Sequence, residues 1–195
     1  MTRDEIIPPG AAPYLELLQR YHADATEHSG RHLIDHLLGT FRLLESWGNA
    51  PEICRAGLFH SIYGTNIFTV KSAGFDQRPA IRDAIGAAAE RLAFLFCTTE
   101  RPVAFLRAAI EKNYALADIV HGGSSAVDPA ELNALIEIEV ANFLEQPEEP
   151  EDIKLIYGAI QSIEASAPVP VLTAPARAAL SAYVAGIEST DSKSI

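Results

Sequence analysis

His36–Ser61, HLLGTFRLLESWGNAPEICRAGLFHS, holds two helical patterns, a stop between them and an imidazole close to each end. Leu37, Phe41, Leu44 and Trp47 recur at steps of three and four, so the pattern predicts a helix from Leu33 to Trp47 with one apolar face. Gly48 and Asn49 stop it. Pro51 then stands where a first-turn proline is tolerated, and Ile53, Ala56, Gly57 and His60 turn one face of the next helix inward. That helix closes on GLFHSIYGTN, residues 57–66, where an apolar run ends on His60. A neutral imidazole in such surroundings needs partners for both ring nitrogens, as a ligand or as a satisfied core residue.

Outward from this pair the pattern stays helical. Tyr14 to about Ala23 carries Leu15, Leu17, Leu18 and Tyr21 at helical spacing, and Ala80–Cys97 and Val103 to about Val120 read as two further helices. Asp128-Pro129-Ala130-Glu131 supplies a cap, a first-turn proline and a capping-box carboxylate ahead of Leu132–Leu144. QPEEPE at 146–151 is an acidic turn; a helix through Ile163 follows, then an extended piece at 167–172, a last helix at 173–187 and a tail, 188–195, read as disordered. Residues 66–79 read as a loop packed over the body, and no run reads convincingly as a strand. The expectation is an all-α, compact, single-domain helical bundle over residues 1–195, with its core at about 14–166.

Composition narrows the function classes. A chain of 195 residues with 48% hydrophobic and 21% charged content can bury a substantial core. A net charge of −11 argues against nucleic acid as a partner, because phosphate-backbone affinity rests on clustered Lys and Arg. No basic segment followed by an apolar core opens the sequence and no apolar run approaches a bilayer's thickness, so the expectation is a cytoplasmic protein without a membrane partner. Cys54 and Cys97 lack CxxC spacing and read as small core residues.

Histidines carry most of the chemical information. His28, His32 and His36 recur every four residues and would share one stripe of a helix that began early enough. Such pairs chelate metals or bind phosphate, or simply cap a helix start. Tyr63, Thr65 and Asn66 follow His60 where side-chain donors could meet a substrate, although a Gly-Thr-Asn turn is equally a chain reversal. Glu137 and Glu139 read as the solvated edge of an amphipathic helix, although with Asn142 one turn past Glu139 one carboxylate could point toward the pocket. Gly122-Gly123 reads as a helix stop.

Residues 36–61 resemble the opening of an HD-domain metalloprotein, in which a histidine on one helix is followed about two dozen residues later by a His-Asp pair. Tyr114–His121, YALADIVH, is similar to the segment carrying the last metal-binding aspartate in the HD domain of bacterial guanosine-polyphosphate hydrolases, and HSIYGT resembles a string from a family of uncharacterised small proteins. The resemblance implies an HD-type bundle with His36, His60 and Asp118 as metal ligands, and with Ser61 standing where the family has an aspartate. Two imidazoles and one carboxylate leave open positions on one Fe, Mn or Zn ion. On this reading His32 and His121 serve as catalytic partners, and His28, Ser61, Tyr63 and Thr65 line the substrate. The implied function is a metal-dependent hydrolase of a small phosphorylated or nucleotide-like compound. An iron-dependent oxygenase and a non-catalytic binding protein are the alternatives, and a homodimer is an open possibility.

Overall fold

The computed structural model describes residues 7–28, 31–146, 150–166 and 169–191, and they are mostly helical. A single 3-10 turn, Ala12–Tyr14, leads into α1 (Leu15–Arg20). A two-residue hairpin follows, β1 (Glu27–His28) against β2 (Arg31–His32), and runs directly into α2 (Leu33–Ser46). Next come α3 (Pro51–Leu58), α4 (Arg78–Ile85), α5 (Ala87–Thr98) and α6 (Val103–Glu111). A second antiparallel hairpin, β3 (Ala115–Ala117) with β4 (Ser124–Ala126), precedes α7 (Pro129–Glu145), α8 (Pro150–Ser166) and α9 (Ala174–Asp191).

The central layer is α2 packed on α3 and α7, with α5 against α3 and α7 behind it. α7 explains this arrangement. Leu132, Leu135, Ile136, Ile138, Val140, Ala141 and Phe143 are all buried, so the helix is covered around most of its circumference and serves as the axis of the bundle. Its start is fixed as the sequence predicts: the Asp128 carboxylate accepts from the Glu131 backbone N–H at 2.8 Å, and the Glu131 carboxylate accepts from the Asp128 N–H at 3.1 Å. α6 packs on α7, α8 on α6, and α9 on α7 and α8.

The structure corrects several expectations. Ala80–Cys97 is two helices, because Gly86 adopts φ +92° and a side chain there would be strained. The helix expected to reach Val120 stops at Glu111. Lys112 takes a left-handed cap conformation, φ 53°, and the chain beyond it pairs as β3 and β4, so strands are present where none was expected. Gly122 and Gly123, both at φ +80°, turn that hairpin rather than stop a helix. The stripe of His28, His32 and His36 does not share one helix. His28 lies in β1 and His32 in β2, paired opposite Arg31 and Glu27 respectively, and only His36 is helical. α9 continues past 187 to Asp191, which makes residues 188–191 helix rather than tail. Residues 147–149 of the acidic turn, 167–168 of the Pro-rich piece and 192–195 of the tail lie outside the described residues. Among the described residues, no helix is long and apolar enough to cross a membrane.

Candidate functional site

α2 delivers His36 from its first turn, and the turn after α3 delivers His60. Both are buried, at 1% and 0% exposure. Their Nε2 atoms lie 3.2 Å apart, with the rings edge-to-face. Each Nδ1 is tied elsewhere. His60 Nδ1 donates to the Gly57 carbonyl at 2.7 Å, and His36 Nδ1 donates to the Glu145 carboxylate at the end of α7. A carbonyl and an ionised carboxylate only accept, so with both rings neutral and Glu145 ionised each ring carries its hydrogen on Nδ1 and its lone pair on Nε2. In that tautomer the two Nε2 atoms face each other as acceptors, with the Asn142 Oδ1 3.0 Å from His36 Nε2. Such a junction is stable when something positive occupies it: a proton on one ring, or a cation bound by both.

The helices hold this junction from several sides. Phe96 of α5 packs edge-on against the His60 ring at 5.1 Å, and the Cys97 thiol donates to the His60 carbonyl at 3.0 Å. Burial pushes the Cys97 thiol up to about 12, which keeps it a neutral core group. Glu145 reaches His36 through a gap in α2. A Cβ on Gly39 would lie 2.2 Å from Glu145 Oε1 and 2.5 Å from its Cγ, so glycine is required for the carboxylate to lie across that helix.

α7 also carries the buried carboxylate of Glu139. Glu139 accepts from Arg101 Nη1 at 2.7 Å, and the Arg101 guanidinium lies over Phe96 at 4.6 Å, on the same ring that packs against His60. Glu137, on another face, accepts from Asn49 Nδ2 at 2.8 Å and from the backbone N–H and hydroxyl of Thr173 at 2.9 and 2.6 Å. The solvated-edge reading of Glu137 and Glu139 is thus corrected: both are buried and fastened to neighbouring segments.

The remaining sequence candidates lie in different settings. Asp118 ends β3, outside any helix, and accepts from the backbone N–H groups of Val120 and His121 and from His121 Nδ1, at 2.8–3.0 Å. Burial alone would raise its carboxyl, but these bonds outweigh it and hold it below the ordinary value. The set His36, His60 and Asp118 is not assembled, and among the described residues no group of three or more His, Cys, Asp and Glu is arranged to hold a metal ion. His121 packs on Phe75 and Phe94 at 4.6 and 5.9 Å. His32 is exposed at the N-cap of α2, where its side chain makes no capping bond. Ser61 is buried.

Tyr63 and Thr65 are also buried and have structural partners. Tyr63 donates to Glu90, which Arg78 and Arg82 grip as well. Burial, followed by the adjacent Glu90 charge, pushes the Tyr63 hydroxyl far up. Thr65 Oγ1 accepts from the Phe68 N–H at 2.8 Å and from Arg101 at 3.3 Å, which fixes the turn that begins at Gly64.

Sequence reasoning missed Glu145 and Asn142 as neighbours of His36. The available signal was the spacing of Glu139, Asn142 and Glu145, three polar residues at steps of three along the mostly apolar second half of α7, together with a glycine inside α2.

Residues 17–101 match a family described as a domain of unknown function, DUF6817. The matched stretch holds His36 and His60 and ends before α7, so Asn142 and Glu145 lie beyond it. No curated protein and no solved structure matches the chain.

Proposed function

We propose that the protein is a divalent-metal-dependent hydrolase of a small phosphorylated or nucleotide-like compound, on an HD-like helical scaffold, with His36 and His60 as the imidazole ligands. The observation that carries the reading is the approach of the two Nε2 atoms to 3.2 Å, with both Nδ1 atoms engaged elsewhere. At metal–nitrogen bonds of about 2.0–2.1 Å, nitrogens so spaced subtend about 100°, within the range of tetrahedral and octahedral sites. The donor set fits one Fe, Mn or Zn ion, with the Asn142 oxygen as a neutral neighbour and the other positions left to water or substrate. When bound, such an ion supplies a water of lowered pKa and a Lewis acid for a phosphate oxygen. Glu145 and the Gly57 carbonyl fix the tautomers and aim the rings. Phe96 closes one side of the His60 ring against water. The hydrolytic assignment rests on the resemblance of residues 36–61 to HD domains.

Elemental analysis of untagged protein, beside His60→Gln and with folding checked by circular dichroism, tests the site. Near-stoichiometric metal in the parent and a loss of more than tenfold in the variant are expected. Metal-free parent after incubation with Fe(II), Mn(II) and Zn(II) would refute the reading. Phosphate release from a nucleotide panel tests the reaction separately: a loaded protein that releases none keeps the metal and loses the hydrolase.

The near-complete burial of both rings, together with the absence of a third His, Cys, Asp or Glu ligand among the described residues, favours a second reading. In it a shared proton fills the junction, and the pair locks α2, α3 and α7 together without catalysis. Stability unchanged by chelators would support it.

A further inference from the structure

A cleft of about 610 Å³ runs between α6 and α8, far larger than a packing defect and within the range of ligand and peptide grooves. Val103, Leu106 and Ile110 form one wall, Leu155 and Ile156 the other, and Phe143 of α7 contributes to the lining. Val103, Ile110 and Leu155 are 50%, 57% and 72% exposed, a concentration of apolar surface unlike scattered single residues. On α6 the apolar positions are spaced i, i+3 and i+7, a stretch of about 10 Å, or two helical turns. This is the imprint that accepts an amphipathic helix laid between two others.

Charge decides among the occupants. Arg107 lines the cleft, but so do Glu111 and Asp152, while the neighbouring Glu151 is paired with Lys154 at 3.3 Å. The chain as a whole carries a net charge of −11. A second copy would bring the same acidic rim against this one, and a fatty-acid-like anion would meet the same repulsion. A cationic partner is attracted by both lining carboxylates and by the net charge of the chain, which outnumber the single Arg107.

We propose that the groove between α6 and α8 docks a short amphipathic helix of a partner protein, apolar at i, i+3 or i+4, and i+7, and bordered by Lys or Arg. This inference is independent of the histidine junction.

The probe is a fluorescent synthetic helical peptide of about five turns with Leu at i, i+3, i+4 and i+7 and Lys on its borders, compared with a twin carrying Glu for every Lys. Fluorescence anisotropy on the full chain is expected to show binding of the Lys peptide on the order of micromolar, weakening as salt rises, and at least tenfold weaker binding of the twin. Leu155→Asp and Ile110→Asp are expected to weaken the Lys peptide at least tenfold, although each adds negative charge. Both positions are exposed, so folding should survive. Equal binding of the two peptides, or unchanged binding by both variants, would overturn the proposal. So would sedimentation showing a dimer of the parent that Leu155→Asp dissolves, because the groove would then belong to a second copy.

Discussion

Gly39→Ala sets two effects of known sign against each other. Alanine inside α2 should stabilise the helix by roughly 0.5–1 kcal/mol relative to glycine. Its Cβ would fall 2.2 Å from Glu145 Oε1, 2.5 Å from Cγ and 2.6 Å from Cδ, distances that no Cβ contact tolerates. The carboxylate must swing off His36, and losing a buried charge-assisted bond costs about 1.5–3 kcal/mol. The net expectation for Gly39→Ala alone is a destabilisation of about 0.5–2.5 kcal/mol. With Glu145→Ala in the background the obstacle is gone and the same substitution should stabilise by roughly 0.5–1 kcal/mol. Urea denaturation of the four proteins of this cycle, read at common slope, measures the difference. A coupling within about 0.5 kcal/mol of zero would refute the claim that Gly39 exists to admit Glu145.

Three further outcomes are expected. Asp128→Ala should cost about 1 kcal/mol by removing the α7 cap, while Asp128→Asn, which keeps an acceptor, should cost less by chemical denaturation. Burial raises the Glu90 carboxyl but the bonds from Arg78 and Arg82 outweigh it and hold it below its ordinary 4.5. The stability it contributes is therefore full above that value and lost as pH falls through the lower folded value, and an acid titration of stability should show a shallower decline for Glu90→Gln. Cys54 and Cys97 are buried and free, with thiols pushed up by burial to about 11 and 12. A thiol reagent at mild pH should therefore find no reactive sulfur in the folded protein and two after denaturation, and fast labelling of the native state would contradict the packing.

Much of the helical scaffold was legible because α2, α3 and α7 carry local signals: Leu37, Phe41 and Leu44 at helical steps, Pro51 in a first turn, and the reciprocal cap of Asp128 and Glu131. The pairing of His36 with His60 could be suspected from their shared apolar settings. Their other partners could not. Glu145 and Asn142 reach His36 only through the docking of α7 on α2, a long-range contact that leaves no mark in local periodicity. Apolar periodicity also hid the identity of residues 112–126. Ala115, Leu116 and Ala117 suit a helix as well as a strand, and the left-handed turn at Lys112 and the backbone pairing of β3 with β4 settle the matter. Glu137 and Glu139 were misread for the same reason, since only tertiary neighbours such as Asn49 and Arg101 make their burial tolerable.

The 109 positions that separate His36 from Glu145 also set a schedule. At roughly 5–20 residues per second, a ribosome that has made the first histidine needs about 5–20 s more to supply its carboxylate. Once His60 has followed, 24 residues after His36, the two imidazoles exist on a nascent chain with no complete α7 to cover them, open to any ion or chaperone nearby. The junction is thus completed by the arrival of the second half of the polypeptide, and a truncation before Glu145 would leave both rings without the helix that encloses them.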